Sequence, residues 1–344
     1  MADGVKVAVV GATGAVGEAM LSILAERDFP VAKLWALASE GSVGKTVTFG
    51  GRSVPVENAA TFDFSQAQLG LFSAGASVSE VLAPRAAAAG CTVVDNTSRF
   101  RYDDDVPLVV PEVNAHALDG YRARNIIANP NCSTIQMLVA LKPLHDLVKV
   151  KRINVATYQA VSGAGRRAIE NLAVQTATLM NGRPLELPAN EPRIAFNAVP
   201  QIDVFQDNGY TKEEMKMVWE TQKILEDPGV RVNATAVRVP VFHGHSEALH
   251  IETETKLTAD EARAALAAAP GVTLVDDVSA SQAGEAFPTA ATQGADTDAV
   301  FVGRVREDLS HPTGLNLWVV SDNLRKGAAL NSVQIAEILV KDYL

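Results

Sequence analysis

A cysteine at a loop-to-helix junction is the residue in this sequence best suited to nucleophilic chemistry. Cys132 stands in Asn-Pro-Asn-Cys-Ser-Thr, directly before a stretch with the periodicity of an amphipathic helix. The positive end of a helix dipole stabilises a thiolate, and the amides of the same turn can stabilise an oxyanion. Its polar neighbours argue against a buried structural thiol. Cys91, in the apolar run 91–94, fits that structural role.

A thiol nucleophile needs a partner that moves protons, and six histidines are available. His243 and His245 lie in segment 238–247, Arg-Val-Pro-Val-Phe-His-Gly-His-Ser-Glu, at the end of an apolar strand-like run. A histidine taken at random is more often structural than catalytic. The flanking Arg238 and His245 make this segment the best candidate for an acid/base group.

A glycine-rich turn near the N-terminus predicts a nucleotide site. Gly11, Gly14 and Gly17 form G-x-x-G-x-x-G between an apolar run, 5–10, and a helical pattern. Strand, turn and helix in this order are the context of a dinucleotide fingerprint. The first glycine permits the tight turn, the second lets the backbone approach a pyrophosphate, and the third allows close helix packing, with helix amides facing the phosphates. A compact turn without a ligand remains the alternative, because the spacing departs from G-x-G-x-x-G.

The tip of the second predicted strand bears on the choice of cofactor. An acid at this position would bind the ribose 2′-hydroxyl of NAD. The chain instead continues as Ala-Ser-Glu-Gly-Ser, where the hydroxyls of Ser39 and Ser42 suit a 2′-phosphate and Lys45 is nearby. Glu40 is the contrary signal. The pattern favours NADP.

Two styles of secondary structure must position these residues. Before residue 131, short apolar runs at 5–10, 33–38, 68–73, 91–95 and 125–128 alternate with helical stretches, which predicts an α/β fold with a Rossmann-type doubly wound parallel sheet. After Cys132, longer runs at 153–160, 230–241 and 246–257 alternate with period two. They predict a second, α+β domain with a mixed sheet open on one face. A last helix is expected at 324–344.

Composition excludes several classes of function. The 344 residues are 47% hydrophobic and 20% charged, with a net charge of −10 and scattered rather than clustered Lys and Arg. That balance argues against a nucleic-acid partner. No apolar run reaches the roughly 18 residues of a membrane span, and the N-terminus lacks signal-peptide anatomy. A cytoplasmic location is the expectation, and two cysteines without a secretion signal argue against disulfides.

Four segments together resemble one enzyme family. Asn-Cys-Ser-Thr at 131–134, Tyr-Gln-Ala-Val-Ser-Gly-Ala-Gly at 158–165, Glu-Glu-Met-Lys at 213–216 and the segment 238–247 resemble aspartate-semialdehyde dehydrogenase. The resemblance extends from the glycine turn to Ser-Asp-Asn-Leu at 321–324. Any one motif is weak, but their order and spacing are specific. The resemblance implies an NADP-binding domain at 1–131, completed by the helix 324–344, and a catalytic and dimerisation domain at 132–323.

The resemblance also implies roles for individual residues. Cys132 would carry an acyl-thioester, with His245 as general acid/base. Gln159 would orient the substrate. Arg238 would bind the substrate α-carboxylate, for which a planar two-point donor is suited, and Glu213 the α-ammonium group.

Phosphate and cofactor residues follow from the same resemblance. Arg101 and Lys216 would bind phosphate, although Arg99 could share or replace the role of Arg101. No metal is implied. The expected cofactor-binding residues are Gly11, Thr13, Gly14, Ala15, Val16, Gly17, Ser39, Gly41, Ser42, Ser162, Gly163 and Asn323.

The reaction implied is the reductive dephosphorylation of L-aspartyl 4-phosphate to L-aspartate 4-semialdehyde, in the biosynthesis of lysine through diaminopimelate, and of threonine, methionine and isoleucine. A homodimer is expected.

One alternative is an N-acetylglutamyl-phosphate reductase, whose substrate lacks a free α-amine; Glu213 beside Lys216 favours the aspartyl substrate. The other is a non-catalytic NADP-binding regulator, against which Cys132, Gln159, Arg238 and His245 argue together.

The spacing of Arg238 and His245 raises a geometric question. Seven residues apart on a single strand, they would face opposite sides of a sheet. A shared pocket therefore requires the chain to bend or leave the strand between them, for which Pro240 and Gly244 are suited.

Overall fold

The computed structural model describes residues 4–189, 191–280 and 282–344. The chain divides into two compact units. The first comprises the residues up to Asn131 together with Gly327–Leu344, and the second comprises Cys132–Lys326.

The first unit contains a seven-stranded sheet. Its strands are β1 (Val5–Val10), β2 (Val31–Ala38), β3 (Thr46–Phe49), β4 (Arg52–Asn58), β5 (Leu69–Phe72), β6 (Thr92–Asp95) and β7 (Ile126–Ala128). Its helices up to Asn131 are α1 (Ala15–Glu26), α2 (Ala76–Ala88) and α3 (Pro111–Asn114). The strand order is β3-β4-β2-β1-β5-β6-β7, parallel except for the β3–β4 hairpin.

The position of β1 in this sheet places the glycine turn where ligands bind. Strand β1 lies between β2 and β5, so the strand order reverses at its carboxyl end, the usual ligand site of such sheets. Strands β5 and β6 are buried along their whole length, as expected for parallel strands covered on both faces. The predicted Rossmann-type sheet is confirmed.

The second unit contains a six-stranded mixed sheet. Its elements are α4 (Cys132–Val148), β8 (Val150–Gln159), α5 (Arg166–Met180), α6 (Lys212–Ile224), β9 (Arg231–Arg238), β10 (His245–Thr253), α7 (Ala259–Ala268), β11 (Val272–Leu274), α8 (Ala283–Ala286), β12 (Val300–Glu307) and β13 (Gly314–Ser321). The order is β11-β12-β13-β10-β8-β9, with β8–β9 and β11–β12 parallel and the other pairs antiparallel. The predicted mixed sheet is confirmed.

The two faces of this mixed sheet differ. Alternate residues of β8 and β10 are buried, and α4 packs on β8, β10 and β13. The opposite face carries Tyr158 and Trp318, whose rings lie 5.5 Å apart, with Tyr158 39% exposed. Alternation with period two therefore places every second side chain under the helices.

The last helix, α9 (Leu330–Asp342), belongs to the first unit. Its buried side chains include Leu330, Val333, Ile335 and Leu339, which join the core formed by α1 and the parallel sheet. The chain is helical from Arg325, within one residue of the expected start at 324, and α9 itself begins at Leu330. A π-helical turn, Arg325–Ala329, precedes it, and Asp322 accepts hydrogen bonds from the amides of Leu324 and Arg325 at 2.8 Å each.

Strands β9 and β10 are shorter than the sequence pattern suggested. The predicted runs 230–241 and 246–257 extend only to Arg238 and Thr253. Pro240 has no amide hydrogen for a sheet, and the pairing of β10 shifts register between Glu252 and Thr253. Across the described ranges, no helix combines the length and apolar character that a membrane crossing requires.

Candidate active site

Helix α4 presents Cys132 at its first turn. Cys132 is the first residue of the helix and is partly buried, and neither it nor Cys91 forms a disulfide. Cys91 is fully buried, and burial raises the pKa of its thiol to about 12. An inert structural thiol is the consequence for Cys91, because the thiolate is the reactive form.

Three predicted site residues form a row across the ends of three neighbouring strands. Ser246 pairs with Tyr158, which sets His245 of β10 opposite Gln159 of β8. Gln159 in turn pairs with Arg238 of β9. Residues in register on adjacent strands share a face, so all three side chains lie on the face covered by α4.

The structure corrects the expected path between Arg238 and His245. They lie not on one strand and its following loop but on two separate strands, with β8 between them. A Cβ added to Gly163 would lie 3.3 Å from His245 Nε2 and 3.4 Å from Arg238 Nη1. Both side chains therefore reach the same small residue, which places them in one pocket.

A backbone amide sets the state of His245. The imidazole is fully buried, and the N–H of Ala160 donates to its Nδ1 at 3.1 Å. Burial, followed by the charge of Arg238, lowers the pKa of His245 to about 3, against the opposing effect of Glu213. A neutral ring whose Nδ1 accepts must carry its proton on Nε2. That nitrogen makes no hydrogen bond within the described chain, so its proton is available to a ligand.

Arg238 is held by the carbonyl group of the same residue, Ala160. Its Nη1 donates to the carbonyl of Ala160 at 2.6 Å. Burial lowers the pKa of Arg238, while the nearby Glu213 and Cys132 oppose the shift. The guanidinium, the carboxylate and the thiol therefore share one electrostatic environment.

Gln159 links the start of α4 to helix α6. Its Nε2 donates to Ser133 Oγ and, at 3.1 Å, to Glu213 Oε1. Sequence reasoning had not singled out Ser133, although its place next to Cys132 in the Asn-Cys-Ser-Thr motif was a usable signal. The amide side chain thus fixes the first turn of α4 against the sheet.

Helix α6 delivers Glu213 and Lys216 together. Thr211 and Glu214 form a capping box at its N-terminus, and residues three apart then share one helix face. Lys216 Nζ donates to Glu213 Oε2 and to Asp203 Oδ2, each at 2.9 Å. Although burial disfavours the charge of Lys216, these acids raise its pKa. Asp203 was missed by sequence reasoning, since it is distant along the chain.

Asn323 organises the loop before His245. Its Oδ1 accepts from Ser162 Oγ and from the Gly244 amide, both at 3.0 Å. Ser162, Gly163 and Asn323 therefore lie beside His245 within the second unit. Their assignment to the cofactor stays a prediction.

The glycine turn of the first unit borders a cleft of about 480 Å³. Four predicted cofactor residues line it: Gly11, Thr13, Gly14 and Ser39. Glu40 also lines it, as do Asn58, Ser73 and Ala74, which the sequence analysis did not single out. Asn58 ends β4, and Ser73 and Ala74 follow β5, so their positions at carboxyl ends of parallel strands could have indicated them.

The geometry of this turn fits a bound dinucleotide. Gly11 has φ +90°, and an added Cβ would lie 2.9 Å from the Ser73 backbone. A Cβ at Gly17 would lie 2.2 Å from the Gly11 carbonyl oxygen, whereas Gly14 has room for one. No side chain caps the N-terminus of α1, which begins at Ala15 and Val16. Its first amides therefore have no side-chain cap, which leaves them able to bind a phosphate.

The remaining predicted residues occupy less informative positions. Gly41 and Ser42 belong to a 3-10 turn, Glu40–Ser42, beside the cleft. Arg101 of the first unit is buried and donates from Nη2 to the Asn96 carbonyl at 2.8 Å. Arg99 is more exposed and pairs with Glu80 at 3.1 Å. Among the residues that the structure describes, no group of three or more His, Cys, Asp or Glu is arranged to hold a metal.

Comparison with known proteins agrees with this geometry. Residues 6–121 match the model of the semialdehyde dehydrogenase NAD-binding domain, and residues 141–326 match that of the semialdehyde dehydrogenase dimerisation domain. The fold and the matched domains define a nicotinamide-dependent oxidoreductase of the semialdehyde dehydrogenase class.

Individual relatives narrow this class. An aspartate-semialdehyde dehydrogenase of Legionella pneumophila is 60% identical over 344 residues, covering 100% of this chain and 98% of that protein. The crystal structure of aspartate semialdehyde dehydrogenase II from Vibrio cholerae, also determined in complex with ASA, has a TM-score of 0.95 at 58% identity, covering 99% of this chain. The first of these two structures is covered over 100% of its own chain, and the ASA complex over 99%. The Candida albicans enzyme, solved with NADP, has a TM-score of 0.74 at 25% identity, covering 98% of each chain. The chain belongs to the aspartate-semialdehyde dehydrogenase family.

The buried imidazole predicts a pH-dependent stability. The pKa of His245 falls from 6.5 to about 3 on folding, so between these values the unfolded chain binds a proton that the native state lacks. The buried ring therefore costs the native state no stability above pH 6.5, and the free energy of unfolding decreases as the pH falls towards 3. His245→Gln should therefore flatten the fall of unfolding free energy between about pH 7 and about pH 5, by up to about 1.4 kcal/mol per pH unit.

Urea denaturation at both pH values measures this effect. His243→Gln removes a partly exposed histidine two residues away and is the matched control, expected to keep the wild-type slope. Identical slopes in the wild type and His245→Gln would contradict the buried neutral imidazole.

Proposed function

We propose that this protein is an NADP-dependent aspartate-semialdehyde dehydrogenase that converts L-aspartyl 4-phosphate to L-aspartate 4-semialdehyde and phosphate. One observation carries the proposal: Cys132, at the start of α4, shares a pocket environment with His245, Gln159 and Arg238. The full-length likeness to enzymes of that name supports the choice of substrate. The reaction would serve lysine, threonine, methionine and isoleucine biosynthesis in the cytoplasm.

Opposite charges in the pocket match an amino-acid substrate. Arg238 has one of its five donors on Ala160, and the rest of its planar fork suits the α-carboxylate. Glu213 suits the α-ammonium group, which can replace the Lys216 ammonium now paired with it. An N-acetylated substrate has no such cation, so Glu213 favours the aspartyl compound.

Cys132 would be the nucleophile of the first step. Its thiolate attacks the acyl carbon of the phosphorylated substrate, a carbon–sulfur bond forms, and the carbon–oxygen bond to phosphate breaks. The α4 dipole and the Arg238 charge stabilise the thiolate. Lys216 and Arg101 are the proposed ligands of the leaving phosphate, the latter on family resemblance.

His245 would serve the second step. When bound, the nicotinamide cofactor supplies a hydride. The Nε2–H of His245 would donate a hydrogen bond to the thioester oxygen as this oxygen becomes negative, and the ring would keep its proton, so that collapse of the alkoxide re-forms the carbonyl and breaks the carbon–sulfur bond. The N–H of Ala160 donates a hydrogen bond to Nδ1. The neutral ring therefore keeps its own proton on Nε2. Collapse then releases the semialdehyde and the thiolate.

A homodimer is the proposed assembly. The second unit matches a dimerisation domain model, and its sheet carries Tyr158 and Trp318 on the face away from α4. Exposed aromatic pairs of this kind are typical of interface cores.

Cys132 should carry the covalent intermediate. In the reverse direction, with semialdehyde, phosphate and NADP, the wild type should produce NADPH, and Cys132→Ala should lose activity by at least about a hundredfold while remaining folded. Mass spectrometry of the wild type with substrate should show an acyl adduct on Cys132. Cys91→Ala is the control and should keep its activity, because that thiol is buried. An adduct on Cys91, or an active Cys132→Ala enzyme, would refute the assignment.

The cleft should prefer NADP. Ser39 lines it and offers a hydroxyl to a 2′-phosphate, whereas Glu40 lines it with a like charge. We expect a higher kcat/KM with NADP than with NAD, and a further increase for NADP in Glu40→Gln. Glu57→Gln, a change of the same kind in β4, serves as the control. Equal or better use of NAD by the wild type would overturn this preference.

Arg238 and His245 should have separable kinetic effects. Arg238→Lys keeps a charge but loses the planar grip on a carboxylate, so KM for the semialdehyde should rise strongly. His245→Ala should instead lower kcat, by roughly a hundredfold to ten-thousandfold. Steady-state kinetics of the two variants measures both. An unchanged KM in Arg238→Lys would remove Arg238 from substrate binding.

A further inference from the structure

A second polar layer lies beneath the catalytic layer of the second unit. Gln136 follows Cys132 by four residues, which is one turn further along α4. Glu247 follows His245 by two residues and therefore lies on the same face of β10. Gln136 is 1% exposed and Glu247 is fully buried. Helix α4 and strand β10, which present Cys132 and His245, thus each carry a second buried polar residue further along the element.

These two deeper residues contact each other. The Gln136 amide lies close enough to the Glu247 carboxyl to lower its pKa, although neither carboxyl oxygen nor Gln136 Nε2 has a hydrogen-bond partner among the described residues. Burial raises the pKa of Glu247 well above its ordinary value, and Gln136 opposes this only in part. The neutral acid is favoured. Its O–H and C=O match the acceptor and donors of one amide side chain.

A purely structural role explains this pair poorly. Burying a carboxyl group costs free energy that an apolar side chain of the same size would not. Thr157, which pairs with Glu247 across β8–β10, is also fully buried and lies two residues before Gln159. Both strands, β10 with His245 and β8 with Gln159, therefore carry a buried polar residue two positions from the catalytic layer.

We propose that Glu247 and Gln136 are a positioning pair that ties α4 to β10 and so sets the separation of the Cys132 and His245 side chains. Gln136 lies one helical turn from Cys132, and Glu247 lies two residues from His245. The pair itself touches no substrate. The proposal rests on the proposed function, in which those two side chains react.

Three variants test the pair. Glu247→Leu and Gln136→Met remove the polar contact at nearly constant volume and should lower kcat about tenfold to a hundredfold, because small misplacements of reacting groups are costly. KM for the semialdehyde should stay within about twofold, since Arg238 and Glu213 are unchanged. Glu247→Gln keeps a neutral donor and acceptor and should retain most of kcat. The double variant Gln136→Met/Glu247→Leu should lose little more than either single one.

Leu249→Ala is the matched control for core damage. Leu249 lies on β10, two residues beyond Glu247, on the same buried face. It should lower Tm at least as much as Glu247→Leu while kcat stays near the wild-type value. Thermal unfolding of every variant accompanies the kinetics.

Alkylation of Cys132 by iodoacetamide, with the pH profile of its rate, gives a readout that needs no substrate. Glu247→Leu should shift this profile, and Glu247→Gln should not. If the wild type shows no turnover, the proposed function is wrong. The alkylation rate of Cys132 still tests the positioning role of Glu247 and Gln136. Unchanged kcat and alkylation in Glu247→Leu and Gln136→Met would overturn the positioning role. So would a Glu247→Gln variant as inactive as Glu247→Leu, or an equal loss of kcat in Leu249→Ala.

Discussion

The backbone of Ala160 holds the centre of the site. Its N–H, in the peptide bond with Gln159, donates to His245, and its C=O, in the peptide bond with Val161, accepts from Arg238, so the backbone of one residue orients both side chains. The same hydrogen bond places the imidazole proton on Nε2, because an N–H cannot accept. Burial and the charge of Arg238 then keep this ring neutral. A change in the backbone conformation of Ala160 would release both side chains.

Sheet register extends this local constraint to the rest of the site. Strand β8 lies between β9 and β10, and the ends of the three strands meet in one row. Gln159, in the middle of that row, connects the sheet to α4 through Ser133 and to α6 through Glu213. Helix α6 supplies Glu213 and Lys216 together because residues three apart share one helix face, and its capping box fixes where the helix starts. The pocket is therefore assembled from strand ends and helix starts.

The nucleotide cleft depends on a different kind of constraint. Gly17 is required by the close approach of the Gly11 carbonyl, which acts within a short stretch of chain. Gly11 has a positive φ and is also required by the close approach of the Ser73 backbone, which follows β5. Asn58 and Ser73 come from other strands and line the cleft because parallel strands end at one edge of the sheet. Glu40, at the strand tip, lines the same cleft.

Local sequence determined much of this protein. Hydrophobic periodicity predicted the Rossmann-type and mixed sheets, the glycine spacing marked the turn after β1, and the position of Cys132 marked a helix start. Each of these signals acts within about one element, where side-chain spacing and backbone preference decide the outcome. Family resemblance added the grouping of Cys132 with residues far along the chain.

Only the tertiary structure decided how the distant residues meet. It placed Arg238 and His245 on separate strands flanking β8, where a single strand had been considered, and it made the first turn of the C-terminal helix a π-helical turn. It also revealed the role of the Ala160 backbone, which depends on no side chain and leaves no mark in the sequence. Strand pairing and burial join residues that are far apart in the chain, so periodicity can indicate that a face is buried but not which atoms it meets.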